Sequence, residues 1–420
     1  MPRNIRVISI IFAFFASLTA SAADPTATAY TADECCGTHI PYPERNHDTA
    51  IPDSLTAVFI NHVGRHGARY PSSAANTTEV LRTLHRADSA GALTPSGREL
   101  MKLTDFVAAK SHNRWGALDS LGMAEQRGIA SRMYKAYPHL FKGGNVSAIS
   151  SYAPRCVMSM YEFTHQLDRL NNNVEIITSS GRQNSQLMRP FDLDSEYIEW
   201  RDSKAWEEPY NMAYETTAPT APARRLTGDF LSSDDARRLS MAAYNMLSCL
   251  PAMGLPNELA KYFTPEEYNA LWSLANLRFY LRYSANTLST LPSDIASALI
   301  MNLISTTDDA VLGQSPQTVM LRFGHAETMM PLLSLMRIRG CYYMTNYFDT
   351  TALHWRDFSV VPMAANLQMI LLRSKSGNYY VRFDLNEQPV PLLPNSDAIY
   401  LPWVTARQYL NHCLPLHLQI

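Results

Sequence analysis

The stretch from Thr56 to Ser73 reads T-A-V-F-I-N-H-V-G-R-H-G-A-R-Y-P-S-S. Ala57 to Ile60 is a short apolar, partly β-branched run of the kind that forms a buried strand. A loop follows, in which Gly64 and Gly67 allow a tight path and Pro71 limits continuation. Into that loop the chain packs Arg65, His66 and Arg69. Two guanidiniums beside an imidazole repel one another, so their concentration at a strand end points to an anion held between them. Phosphate fits best. Guanidinium forks match its oxygens bidentately and stay charged at any working pH, while a neutral imidazole nitrogen can attack phosphorus. A solvated basic loop is the bland reading of any Arg-x-x-x-Arg. R-H-G-x-R-x-P directly after a strand, however, arises by chance on the order of once in thousands of chains this size.

The chain has 420 residues, enough for one large domain or two ordinary ones. Hydrophobic residues make up 46% and charged ones 18%, which marks a globular protein. With a formal net charge of -2, an anion site has to be a local gathering of arginines on a near-neutral body, which argues against a nucleic-acid-binding protein. Arg3 and Arg6, the uncharged run Val7 to Leu18 and the small residues Ala20, Ser21 and Ala22 read as an export signal peptide over 1–22. No cysteine stands where a lipid anchor would need one, and no later run is long enough for a membrane span. The expectation is a soluble protein exported to the periplasm or secreted. Six cysteines (Cys35, Cys36, Cys156, Cys249, Cys341, Cys413) permit up to three bridges in an oxidising compartment, with the pairing open. Cys-x-x-Cys does not occur, and no structural metal is expected. Isolated histidines such as His85, His139 and His412 read as surface or satisfied core residues.

Further along, helical spacing runs over Glu79 to Ala90, over Pro95 to Lys110 behind an N-cap at Thr94, and within Trp115 to Phe141 up to Pro138. Val146 to Ser150 predicts a second strand, followed by S-S-Y-A-P-R-C-V-M-S and a helix through Leu170. Arg155 then sits in the first turn of that helix, where backbone N–H groups also favour an anion. Val174 to Thr178 predicts a third strand. From Gly181 to Thr307 only helical patterns remain: Asp234 to Leu250, Pro265 to Tyr283 behind the capping box Thr264-Pro265-Glu266-Glu267, and Ser293 to Ser305. Trp272, Leu277 and Tyr280 read as core. L-M-R-P-F-D, Leu187 to Asp192, places Arg189 in a loop. Strands return at Thr318 to Phe323, ending in Gly324-His325-Ala326-Glu327-Thr328 before a helix through Leu335. Gln368 to Ser374 and Tyr379 to Leu385 flank a hairpin turn. The expected architecture is α/β: a mixed sheet flanked by helices, with 23–180 and 308–420 as the core and 181–307 as an inserted all-α domain.

Three strand ends thus carry chemistry, and ligands of open α/β sheets bind outside the carboxyl ends of strands. If the ends converge, the guanidiniums of Arg65, Arg69 and Arg155 with His325 neutralise a phosphoryl group. His66 attacks phosphorus, and Glu327 protonates the leaving alkoxide and later activates water. No cofactor or metal is called for, since arginines supply the charge that a divalent cation would otherwise bring.

R-H-G-A-R-Y-P with the late H-A-E resembles the histidine phosphatase superfamily, in the branch of acid phosphatases and phytases. His-Ala-Glu in place of His-Asp is similar to the multiple inositol polyphosphate phosphatases within it. The likeness extends through G-A-L-D-S-L-G-M-A-E-Q, S-Y-A-P-R-C-V-M-S, L-M-R-P-F-D and N-E-Q-P-V, covering about Asp53 to Val390. It implies a two-domain fold with the site in the cleft between core and helical insert, His66 as nucleophile, Glu327 as proton donor and Arg65, Arg69, Arg155 and His325 on the phosphate. It also implies a place for Arg189 in the substrate cleft. The function so implied is hydrolysis of phosphomonoesters of inositol hexakisphosphate and lower inositol phosphates. The alternatives are a broad acid phosphatase for small monoesters and, from another class, an exported anion-binding protein without turnover. Positional selectivity on the ring, pH optimum, disulfide pattern and oligomeric state are not legible in the residues.

Overall fold

The protein is described by a computed structural model covering residues 30–43 and 50–419; the expected signal peptide lies outside the described residues. Eight strands form one sheet in the order β3-β2-β4-β1-β5-β6-β7, with β8 also paired to β6. In chain order they are β1 (Leu55–Arg65), β2 (Asn145–Ser150), β3 (Glu175–Ser180), β4 (Val319–Gly324), β5 (Asn366–Ser374), β6 (Tyr379–Leu385), β7 (Gln388–Val390) and β8 (Leu401–Pro402). β1, β2, β3 and β4 run parallel, whereas β5 lies antiparallel to β1 and forms the expected hairpin with β6. The carboxyl ends of β1, β2 and β4 therefore emerge side by side at one edge of the sheet. That adjacency brings together residues that lie hundreds of positions apart in sequence.

Both faces of the sheet are covered, as a largely parallel sheet demands. Phe59 and Val63 of β1 pack with Leu299, Ile300 and Leu303 and with Met329 and Leu333 from two helices on one side. Ile60 packs with Ile129, Met133, Phe163 and Leu167 from two helices on the other. A register irregularity between Ala57 and Phe59 shifts the alternation, so Ala57 joins Ile60 on the second face.

β1 is longer than its apolar run suggests and continues through Gly64 to Arg65, so the functional loop begins at His66. The reason for the two glycines changes accordingly. Neither has a left-handed φ. Gly64 leaves room for the His62 ring, which a Cβ would meet at 2.6 Å, and Gly67 for the Gly122 carbonyl oxygen, which a Cβ would meet at 2.3 Å. They serve close approach, not turning.

The helices follow their sequence signals closely where caps exist. Thr94 accepts from the Gly97 N–H ahead of Pro95–Ser111, and the Thr264/Glu267 capping box opens Pro265–Tyr283. Within Trp115 to Phe141 the helix is Ser120–Ala136, started by the Asp119 side chain, which accepts from the Leu121 N–H. Ser293 to Ser305 divides into Leu291–Asp294 and Ser297–Val311. Between β3 and β4 the described residues form helices and turns only. Leu277, Tyr280 and Leu281 from this stretch share a hydrophobic cluster with Phe59 and Val63 of the central strand, so it is packed into the sheet's own core. Trp272 is buried, and its indole N–H donates to Asp357 at 2.9 Å. All six cysteines are buried free thiols.

Candidate active site

The loop after β1 is held from three sides. The His66 N–H donates to the Gly324 carbonyl at the end of β4 (3.0 Å), and the His66 carbonyl accepts from the Ala364 N–H (3.0 Å) ahead of β5. From the Ser120–Ala136 helix, the Gln126 amide donates to the Arg65 carbonyl (3.0 Å), and Glu125 accepts from the backbone N–H groups of Ala68 and Tyr42, both at 2.7 Å. Gly67 and Gly122 meet backbone to backbone, since a Cβ on Gly122 would lie 2.2 Å from the Ala68 carbonyl oxygen. The Ser159 hydroxyl accepts from the Gly67 N–H at 3.1 Å. Little freedom is left to this loop.

Arg65 is 2% exposed. Its Nη1 donates to the carbonyls of Thr38 (2.6 Å) and Val361 (2.5 Å), from two segments far apart in the chain. Burial draws its guanidinium down to about 9. Arg69 donates from Nη1 to the Tyr70 carbonyl at 2.9 Å. The Nε of Arg65, Arg69 and Arg155 are all buried without a hydrogen-bond partner. Buried donors without acceptors are costly, and three at one place mark a site organised around negative charge.

His66 Nδ1 lies 2.9 Å from the carbonyl oxygen of Gly67. A carbonyl only accepts, so Nδ1 carries the proton and the lone pair belongs to Nε2. Burial, then the charges of Arg65, Arg155 and Arg69, hold this imidazole well below the usual histidine range. It is a neutral ring with a fixed tautomer. The His325 ring stands edge-on, centroid to centroid 5.8 Å. It too is kept neutral, by burial and then by Arg155 and Arg189. Its Nε2 accepts from Arg189 Nη1 (2.8 Å) and lies 2.9 Å from the Ser151 hydroxyl, while Arg155 Nη2 is 3.2 Å from Nδ1.

Arg155 enters from the first turn of the helix Pro154–Leu170, directly after β2. Arg189 is fixed through Asp192 (2.7 Å) and rests on the Tyr152 and Phe191 rings at 4.9 and 4.8 Å. Glu327 occupies the first turn of the helix Ala326–Leu335 and is partly exposed. Its carboxylate supports the charges of Arg65 and Arg69. Every residue singled out from sequence, Arg65, His66, Arg69, Arg155, Arg189, His325 and Glu327, is therefore drawn into one constellation.

Residues 58–386 match the family model of the histidine phosphatase superfamily, branch 2. The chain belongs to that family. It is 24% identical over 394 residues to human multiple inositol polyphosphate phosphatase 1, covering 85% of this chain and 78% of the relative. The chicken protein of the same name is also 24% identical, over 395 residues, covering 87% and 83%. Among solved structures, Bifidobacterium longum multiple inositol polyphosphate phosphatase in complex with phosphate has a TM-score of 0.78 at 16% identity, covering 92% of this chain and all of that one. The phytase from D. castellii has a TM-score of 0.69 at 16% identity, covering 94% and 88%. At these identities the solved structures establish a shared histidine phosphatase fold.

Several residues around this histidine phosphatase site escape a reading by motif. Ser151 reaches His325, Thr38 anchors Arg65, and Glu125 with Gln126 supports the loop. Cys156 donates to the Gly324 carbonyl at 3.1 Å, and its thiol is pushed up to about 12 by burial. Glu125 is pushed up to about 7, burial outweighing its two N–H donors. The quoted runs G-M-A-E-Q and S-S-Y-A-P-R-C contain all of these residues but Thr38, and nothing in their spacing marks them.

Proposed function

We propose that the protein is an exported phosphatase that removes phosphates from inositol hexakisphosphate and lower inositol polyphosphates through a phosphohistidine intermediate. The observation that carries the chemistry is the His66 ring: Nδ1 committed to the Gly67 carbonyl, Nε2 left with the lone pair, and three guanidiniums around it. Nε2 of His66 attacks phosphorus, the bond from phosphorus to the inositol oxygen breaks, and the Glu327 carboxyl gives its proton to that oxygen. The Glu327 carboxylate then takes a proton from water, the water oxygen attacks phosphorus, and the phosphorus–nitrogen bond breaks to release phosphate and neutral His66. Arg65, Arg69, Arg155 and His325 carry the phosphoryl charge through both steps, and Arg189 reaches the same phosphate or the next one. The substrate class rests on the curated relatives' names and on His325-Ala326-Glu327 in place of His-Asp.

The helical stretch 181–307 is read here as an insertion that supplies one wall of the cleft, and the amino-terminal 1–22 as its export signal. Phosphate release from inositol hexakisphosphate, beside that from an aryl phosphate and in the presence of EDTA, tests the reading. Release from both, with a kcat/KM favouring the inositol ester and with 32P trapped on His66, is expected. A large preference for the aryl ester would leave a general acid phosphatase.

A further inference from the structure

The stretch between β3 and β4 holds a second gathering of positive charge that the chemistry above does not use. Arg278 and Arg282 lie four residues apart on the helix Pro265–Tyr283, a spacing at which like charges repel. Neither forms a salt bridge among the described residues. Both rest against one buried indole: the Trp206 centroid is 5.9 Å from the Arg278 guanidinium carbon and 5.2 Å from that of Arg282. Arg282 also lies 5.1 Å from the centre of the Tyr283 ring, and its Nε is buried without a partner. The indole N–H donates to the Arg201 carbonyl (3.1 Å), which fixes the ring the two arginines lean on. The exposed Asp202 carboxylate feels the Arg282 charge but is bonded to Arg201 at 2.8 Å, so the half-buried Arg282, held by two aromatic rings and in no ion pair of its own, is arranged to meet a charge from outside.

This cluster adjoins the site. The Tyr197 hydroxyl donates to the Arg282 carbonyl at 3.0 Å, and Arg201 reaches the Phe191 carbonyl at 3.4 Å. Phe191 in turn stands edge-on to His325 at 5.9 Å. Tyr283 is pushed up to about 12 by burial and by the Glu327 carboxylate, while Arg282, Arg201 and Arg278 act on it in the opposite sense. Glu327 and the arginines thus lie within electrostatic reach of the same phenol.

We infer that Arg282 and Arg278, seated on Trp206, form an anion subsite for a phosphate of the substrate other than the one being transferred. The inference rests on the reading of the substrate as an inositol polyphosphate, since a simple monoester has no second phosphate to offer. The cluster then acts by orienting the ring: with one phosphate fixed here, only certain others can reach His66.

The test is binding to the His66→Ala protein, with and without Arg278→Met and Arg282→Met, measured by calorimetry for inositol hexakisphosphate and for inorganic phosphate. Thermal unfolding checks that each variant is folded, and Arg282→Lys serves as the charge-retaining control. The expected result is at least a tenfold rise in Kd for inositol hexakisphosphate, Kd for inorganic phosphate within twofold, and partial recovery with Arg282→Lys. An unchanged Kd for inositol hexakisphosphate, or an equal loss for both ligands, overturns the subsite. Failure of the substrate reading looks different: the protein with His66 intact would release no phosphate from inositol hexakisphosphate, while the binding contrast persisted.

Discussion

Two regions of this molecule adjoin the same constellation and are built by opposite means. At the sheet end, the loop after β1 is fixed through backbone atoms: carbonyls of Thr38, Val361, Gly324 and Gly67, and N–H groups of Ala68 and Gly67. The stretch from Tyr197 to Tyr283 is fixed through side chains, with arginines laid against Trp206, Tyr197 and Tyr283. Backbone bonding holds reacting groups to small tolerances and admits few substitutions, which suits the invariant part of a reaction. Guanidinium on aromatic is a looser attachment that can be re-aimed by single substitutions. On the proposed function and subsite, chemistry and selectivity fall to different kinds of contact.

The strongest break of that contrast comes from the sheet end. His66→Ala should bring turnover to background, a loss of at least about 10^4-fold, for every substrate alike, with the fold intact by circular dichroism. Next, Glu327→Gln should slow phosphate release from inositol hexakisphosphate by about 10²–10⁴-fold and from an activated aryl ester far less, since a good leaving group needs little proton donation. Equal losses on the two substrates would remove Glu327 as the leaving-group acid.

Effects on stability are smaller and separate the regions further. Glu125→Gln turns an NH2 group toward one of two backbone donors and should cost about 1–3 kcal/mol in urea unfolding. The Glu125 carboxyl is raised from its ordinary 4.5 to about 7 in the folded protein. Its contribution is therefore full below pH 4.5 and is lost as pH rises toward 7. The difference in stability between wild type and Glu125→Gln should shrink over that interval. A constant difference would mean that the buried carboxyl does not titrate there. In the helical stretch, Thr264→Ala removes one half of the Thr264/Glu267 capping box and should cost about 1 kcal/mol, with kcat unchanged.

How much of this was legible from residues follows from where the information sits. Arg65, His66 and Arg69 are three residues within one short stretch at the end of β1, and their types alone say anion and nucleophile. Arg155 and the pair His325 and Glu327 are legible one step later, because each follows a strand and strand ends of a parallel sheet share an edge. Gly64 and Gly67 were legible as necessary but for a different reason, since the atoms that crowd them, the His62 ring and Gly122, are set by packing. Thr38 was not legible at all. It acts through a carbonyl, and every residue has one. Arg278 and Arg282 sit in a stretch whose pattern says only that it is helical, and their meaning depends on Trp206, which reaches them from another helix start.

The central strand has one more consequence, for the order in which the molecule can be made. β1 ends at Arg65, yet both its neighbours, β4 from Val319 and β5 from Asn366, come from the last quarter of the chain. During synthesis the strand that bears the RHG motif waits unpaired until nearly everything else has emerged. No amino-terminal fragment can hold this site, and completion of the sheet and completion of the active centre are a single late event.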